Sequence, residues 1–281
     1  MSQIIKKHSA TGFNRVLTEK YYTKDHIVAK CIEIIKNNIK INKNQDICIE
    51  PSAGNGVFIK YIKSLTLHYK FYDIEPGNDE IIKQDYLKLD FNTIKQTFNN
   101  IHIIGNPPFG RQSSLVIKFI KQSAKYADTI SFILPKSFKK DSLKKHFPIH
   151  FHLKYEYELP KNSFIIDNKS HNVPCVFQIW IKKNKKREVP EKLIPTKYTF
   201  VKKDKIHDIS FRRVGVYAGK IDRDTSHKSI QSHYFIKLNV PLTDTLFNIL
   251  SDIKYECKNN TVGPKSISKQ ELIKEFNKII Q

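Results

Sequence analysis

Asn106-Pro107-Pro108-Phe109 is the stretch whose residue types could do chemistry most directly. It follows the apolar run Ile103-Ile104 and Gly105, and Gly110 comes after it. Two consecutive prolines fix φ and remove two backbone donors, so the turn is stiff and offers carbonyl oxygens without competing N–H groups. Asn106 adds a side-chain acceptor and Phe109 adds a π-face. A planar amine is the group such a turn would hold. The same residues alone would also make a rigid strand-to-helix turn, so the stretches that precede them decide between the two readings.

The first of these is Glu50-Pro51-Ser52-Ala53-Gly54-Asn55-Gly56, which follows the short apolar run Ile47-Cys48-Ile49 and leads into a helical pattern through Tyr61 and Ile62. Gly54 and Gly56 allow a sharp turn and a close approach to a ligand, and the helix beyond them presents free N–H groups and the positive end of its dipole. The pyrophosphate fingerprint is incomplete, because Gly54-Asn55-Gly56-Val57-Phe58-Ile59 ends in Ile. A cofactor smaller and less anionic than a dinucleotide is implied. Asp73-Ile74 lies about twenty residues further on, where an acid in a doubly wound fold hydrogen-bonds ribose hydroxyls. Asp85, followed by Tyr86, ends the next apolar segment and could accept from an exocyclic amine of the cofactor's base.

These residues need a sheet to place them. Apolar runs over 46–50, 67–72, 81–87, 101–105 and 129–134 read as strands, with the third ending at Asp85. Helical spacing is seen over 24–36, with Thr23 as its N-cap, and over 91–98, 113–126 and 138–146. Two further strands, 152–159 and 172–182, flank a loop that contains Phe164. Alternating strand and helix followed by a strand pair predicts an α/β fold, a mostly parallel Rossmann-like sheet with an antiparallel edge. In such sheets ligands sit at the carboxyl ends of the strands, where Asn106 falls.

The boundaries follow composition. Residues 1–20 are polar and basic, 21–182 make the main domain, and 183–195 form a basic, proline-punctuated linker. Residues 196–281 form a small basic module whose strand-like runs hold Arg212, Arg213 and several aromatics, a composition suited to phosphates and stacked bases. Over all 281 residues, 49 Lys and Arg against 27 Asp and Glu give +22, which points to a polyanionic partner. Nucleic acid leads, and a membrane surface is disfavoured because no apolar run reaches spanning length and the N-terminus lacks a secretion signal's apolar core. A soluble, intracellular protein is expected. Cys31, Cys48, Cys175 and Cys257 are scattered, which argues against disulfides and against a metal site.

Taken in this order, the motifs resemble the class I S-adenosylmethionine-dependent amino-methyltransferases, and among them the N6-adenine methyltransferases of nucleic acids, over residues 20–182. Glu50 to Gly56 and Asn106-Pro107-Pro108-Phe109 carry the resemblance, with Asp73 and Asp85 in support. The resemblance implies that S-adenosylmethionine is the cofactor. Its site would comprise Tyr22 and Thr23 at the methionine end, with Glu50, Pro51, Ala53, Gly54, Gly56, Asp73, Ile74, Asp85, Tyr86 and Asn106. Asn106, Pro107, Pro108 and Phe109 would be the catalytic turn, and Phe164 a second aromatic against the substrate base. The order of motifs, cofactor half first and recognition module last, is similar to the gamma arrangement of the DNA enzymes. The expected activity is a methyl transfer of the EC 2.1.1 class to adenine N6 with no metal, on a base that is unpaired or flipped. DNA is the favoured substrate. RNA, including the cap adenosine, is the alternative, and a partner subunit is a possible source of specificity. Glutamine methylation of release factors fits the +22 charge poorly, and a catalytically silent binding subunit would have lost one of the two motifs.

Overall fold

The β-branched and aromatic runs are strands in a computed structural model that describes residues 21–281. The basic segment expected over 1–20 lies outside the described residues. Two compact units form: one ends at Asn106 and takes in Leu159–Val173, and the other comprises Pro107–Glu158 and Pro174–Gln281.

The first unit begins with β1 (Tyr22–Thr23), α1 (Asp25–Asn38), β2 (Ile47–Glu50), α2 (Ile59–Lys63), β3 (His68–Asp73), β4 (Ile82–Lys83), α3 (Asn92–Thr97) and β5 (Ile101–Gly105). β3 pairs in parallel with β4 and β2, and β2 in parallel with β5. Every residue of β2 and β5 is buried, as expected for parallel strands covered on both faces. One face of α1 buries Ile27, Val28, Cys31 and Ile35. Thr23 does not cap it. Lys24 occupies the N-cap position with no side-chain capping bond, and the Thr23 hydroxyl accepts instead from Asn106. The third strand is shorter than expected: only Ile82 and Lys83 pair, and Asp85 then starts a tight turn by accepting from the Leu87 N–H at 3.0 Å.

The second unit opens with α4 (Ser114–Tyr126), β6 (Thr129–Pro135), α5 (Asp141–Lys144) and β7 (Phe151–Glu158). The chain then returns to the first unit for β8 (Phe164–Ile166) and β9 (Lys169–His171), a hairpin within what the sequence presents as a loop. Its turn is Asp167-Asn168, with φ of +47° and +60°, the left-handed pair that matches strand twist and that Asp and Asn tolerate. β10 (Cys175–Lys182) is antiparallel to both β6 and β7. The parallel strands of one unit and the antiparallel strands of the other give the expected mixed α/β, Rossmann-like fold.

Beyond β10, Arg187 anchors the basic connection. Its guanidinium donates to the carbonyls of Lys144, Phe147, Pro148 and Phe151 and lies 5.5 Å from the Trp180 ring centre. Then β11 (Tyr198–Val201), β12 (Ile209–Arg212), β13 (Ile221–Asp222) and β14 (His233–Leu238) form an antiparallel sheet ordered β11-β14-β12-β13. It is followed by α6 (Asp244–Ser251), which the sequence pattern did not reveal, and α7 (Lys269–Ile279). Phe211, Ile236, Leu250, Leu272 and Phe276 form the core of this module.

Candidate active site

The glycine loop leaves the carboxyl end of β2 and is pinned from β3. Gly54 and Gly56 have φ of +55° and +84°. A Cβ on Gly54 would lie 3.2 Å from the Tyr22 ring, so both its backbone angle and its surroundings disfavour a larger side chain. The Ala53 N–H donates to the Tyr72 carbonyl, the Gly54 N–H to Asp73 Oδ2 and the Gly77 N–H to the Gly54 carbonyl, each at 2.8 Å. Asp73 Oδ1 accepts from the Glu75 N–H, also at 2.8 Å. Asp73 therefore clamps two loops together, a structural task beyond the ribose contact expected of it, and each oxygen keeps a further lone pair. Ile74 beside it is 63% exposed, an apolar surface at the mouth of the loop. Tyr86 is different: its ring is buried and tilts against Phe91 at 5.5 Å, so the side chain serves the core.

Asn106, at the carboxyl end of β5, is held by the chain's first described strand. Its Nδ2 donates to Thr23 Oγ1 at 3.1 Å and to the Tyr21 carbonyl at 3.4 Å. This fixes the amide so that Oδ1 is the free acceptor. Oδ1 is buried and has no hydrogen-bond partner among the described residues. A buried acceptor left unmade costs about 1–3 kcal/mol, which makes it a place where a donor is expected to arrive. β1 keeps its position by pairing with β8, Tyr22 opposite Ile165 and Thr23 opposite Phe164.

Glu50 is a second orphan. Its side chain is buried, and Oε2 has no partner among the described residues. Burial, with the Asp73 carboxylate nearby, pushes its pKa well above the ordinary carboxylate value, so it stays protonated to higher pH. Gly105 makes room for it: a Cβ there would meet Glu50 Cγ at 3.2 Å and Pro51 Cδ at 3.5 Å. Ser52, Gly77 and Gly105 thus belong to this region, Ser52 through a 3.4 Å bond from its hydroxyl to the Asn106 carbonyl. The sequence carried no periodic signal for any of the three.

The expected second aromatic, Phe164, is 1% exposed. Tyr21 meets it edge-on, with ring centres 6.4 Å apart, and Tyr21 itself is 41% exposed. Tyr21 thus presents an open aromatic surface, and Phe164 supports it from beneath.

In the second unit, Pro107 is buried, Pro108 exposed and Phe109 half-buried. The Phe109 carbonyl accepts from the Leu115 and Val116 N–H groups at 3.1 and 3.3 Å, which ties the end of the turn to the start of α4. Three positive φ values follow closely: Gly110 at +68°, Gln112 at +52° and Ser113 at +64°. Two of them are on residues that pay for this geometry, and such strain persists at functional turns. Arg212 and Arg213 lie on the small module and are partly tied down. Arg212 Nε donates to the Val214 carbonyl at 3.2 Å, and Arg213 donates twice to the Gln231 carbonyl while lying 5.5 Å from the Tyr234 ring centre.

Fold and site together define a class, a Rossmann-like α/β protein with a glycine loop and an unsatisfied amide acceptor at the carboxyl ends of its parallel strands. No family model matches the chain. Over 140 residues it is 27% identical to Ribosomal RNA small subunit methyltransferase A of Francisella tularensis subsp. novicida, a match that covers 45% of this chain and 51% of that protein. The protein of the same name from Francisella tularensis subsp. tularensis is 26% identical over 140 residues. The chain thus spans about half the length of the curated relatives it matches. Among solved structures it is similar to the 23S rRNA methyltransferase ErmE, with 11% identity and a TM-score of 0.41 over 59% of this chain and 71% of that one. Among the described residues no helix is long and apolar enough to cross a membrane.

Proposed function

We propose that this chain transfers a methyl group from S-adenosylmethionine to the N6 amine of adenine in RNA. The observation that carries the reading is the buried, unpartnered Oδ1 of Asn106, fixed in place by Thr23. The residues fit the cofactor: Gly54 and Gly56 give a side-chain-free cradle, Asp73 and Asp85 present carboxylates at successive loops, and Tyr22 and Thr23 close one end. Glu50, Pro51, Ala53 and Ile74 complete the set. When bound, the cofactor supplies a methyl group that is already electrophilic.

The difficulty of the reaction lies in the acceptor, because the adenine N6 lone pair is delocalised into the ring. Asn106 Oδ1 and the Pro107 carbonyl each accept one N6 hydrogen, which turns the lone pair out of conjugation and stabilises the positive charge that develops on nitrogen; one N6 proton is then lost to solvent, leaving the neutral methylamine. These oxygens are preorganised, Asn106 by its bonds to β1 and Pro107 by its fixed φ, so little reorganisation opposes the step. Phe109 is the aromatic that stacks on the base. The base must be unpaired or extruded to be gripped in this way. Residues 21–182 carry the chemistry, and the module over 196–281 grips the polymer.

The motif order taken alone favours DNA. The similarity to small-subunit ribosomal RNA methyltransferases supports the RNA alternative instead. An RNA substrate also implies an intracellular protein. The test is incubation with labelled cofactor and matched RNA and DNA oligonucleotides, followed by nucleoside mass spectrometry. Label on N6-methyladenosine from RNA is the expected outcome; label on cytosine or on protein alone would refute the assignment.

A further inference from the structure

The small module holds a groove that the transfer chemistry does not use. It is open to solvent, has a volume of about 450 Å³ and is lined by residues that include Phe200, Lys202, Lys203, Asp204, Tyr234 and Lys269. Its volume lies in the range of sites that take drug-sized ligands. Phe200 and Tyr234 stand nearly perpendicular, with ring centres 5.6 Å apart at 80°. Lys269 Nζ hangs over both rings, 4.6 Å from the centre of Phe200 and 5.5 Å from that of Tyr234. Lys203 is committed to the fold, donating to the carbonyls of Ser226 and Lys228. Lys202 and Lys269 are exposed. Around the groove, residues 196–281 carry sixteen Lys and Arg against nine Asp and Glu.

We infer that this groove is a second binding site for single-stranded RNA, which stacks one base on the Phe200 face that Lys269 now covers, with the perpendicular Tyr234 ring bordering it, and neutralises the flanking phosphates with Lys202 and Lys269. The inference rests on the RNA reading above and extends it to a site remote in sequence from the catalytic turn. An aromatic face under flexible cations takes any unstacked base by its π-face and the backbone by its charge, without reading sequence. Lys269 now covers the rings and has a long, rotatable side chain, so it can yield the ring face to a base and follow the phosphate. Duplex nucleic acid would keep its bases stacked inside and gain nothing from the rings.

The experiment is fluorescence anisotropy with a labelled, unstructured RNA 12-mer across a salt series, on the full chain. Lys202→Glu with Lys269→Glu is the main variant. Both side chains are exposed, and a Glu in the first turn of α7 suits the positive end of the helix dipole, so folding is preserved. The inference predicts at least a tenfold loss of affinity and a salt slope shallower by about one to two, since each lost phosphate contact on a single strand removes about 0.7. Phe200→Leu, which keeps an apolar side chain but removes the π-face, should weaken binding by about fivefold or more. Wild-type affinity in either variant overturns the inference, as does tighter binding to duplex DNA than to the 12-mer. Methyl transfer to saturating RNA separates this claim from the one it rests on: groove variants should raise KM and spare kcat, whereas absence of transfer by the wild-type chain is a failure of the catalytic reading.

Discussion

At the scale of single residues, the site turns on who holds whose hydrogen bonds. Asn106 has an amide that gives its N–H groups to β1 and keeps its oxygen for something else. Asn106→Ala should lower methyl transfer by at least a hundredfold, the typical cost of one charge-stabilising group, and leave cofactor affinity within a few-fold by calorimetry. Thr23→Val should act at one remove, freeing the amide to rotate, and cut kcat more than it raises the KM for RNA. Asp73 is the reverse case. Because its carboxylate clamps the N–H groups of Gly54 and Glu75, Asp73→Ala should weaken S-adenosylmethionine binding and lower the melting temperature together. A loss of binding with unchanged stability would contradict the clamp. Some of this was legible in the sequence: the acceptor turn and the glycine loop announce themselves by residue type. The burial of Phe164 and Tyr86 was not, because both sit in three-residue elements too short for periodicity to separate an inward ring from an outward one. Thr23 reads as a helix cap in one dimension, and only the fold shows its hydroxyl taken by a residue 83 positions away.

Among the elements, β2 and β5 are anchored at their far ends by a buried polar cluster. Asp46 accepts from the Asn42 N–H at 2.8 Å and from Asn100 Nδ2 at 2.9 Å, and lies 3.2 Å from His102 Nε2. Burial alone would raise its pKa, but these partners outweigh burial and hold the carboxylate below its ordinary value. A group whose folded pKa lies below its unfolded one contributes stability above the unfolded value and loses it as pH falls through the folded value. Asp46→Asn should therefore cost about 1–3 kcal/mol near neutrality, and the gap to wild type should shrink as pH drops below about 4. A gap constant with pH in thermal unfolding would exclude this coupling. At the other end of the chain, Ser268 and Glu271 form a capping box on α7, and Lys140 reaches Glu271 at 3.2 Å. Ser268→Ala should cost about 1 kcal/mol of stability. The long strands were evident from their apolar runs; β8 and β9 were not, since three-residue strands joined by Asp-Asn resemble any polar loop until the left-handed turn is seen.

For the whole molecule, net charge is what bounds the class of partner. A net +22 is far more than solubility requires and is the electrostatic footprint of a polyanion. It says nothing of which polymer, and neither does the acceptor turn, which recognises an amine on a flat ring. The choice of RNA draws on the similarity to ribosomal RNA methyltransferases over 140 residues. The central claim is most directly tested by single-turnover methyl transfer from labelled S-adenosylmethionine to an unstructured RNA and to the DNA of the same sequence, resolved by nucleoside mass spectrometry for wild type and Asn106→Ala. The account predicts N6-methyladenosine from RNA with the wild-type chain and none with the variant. Equal product from the variant, or methylation of any position other than adenine N6, would contradict it.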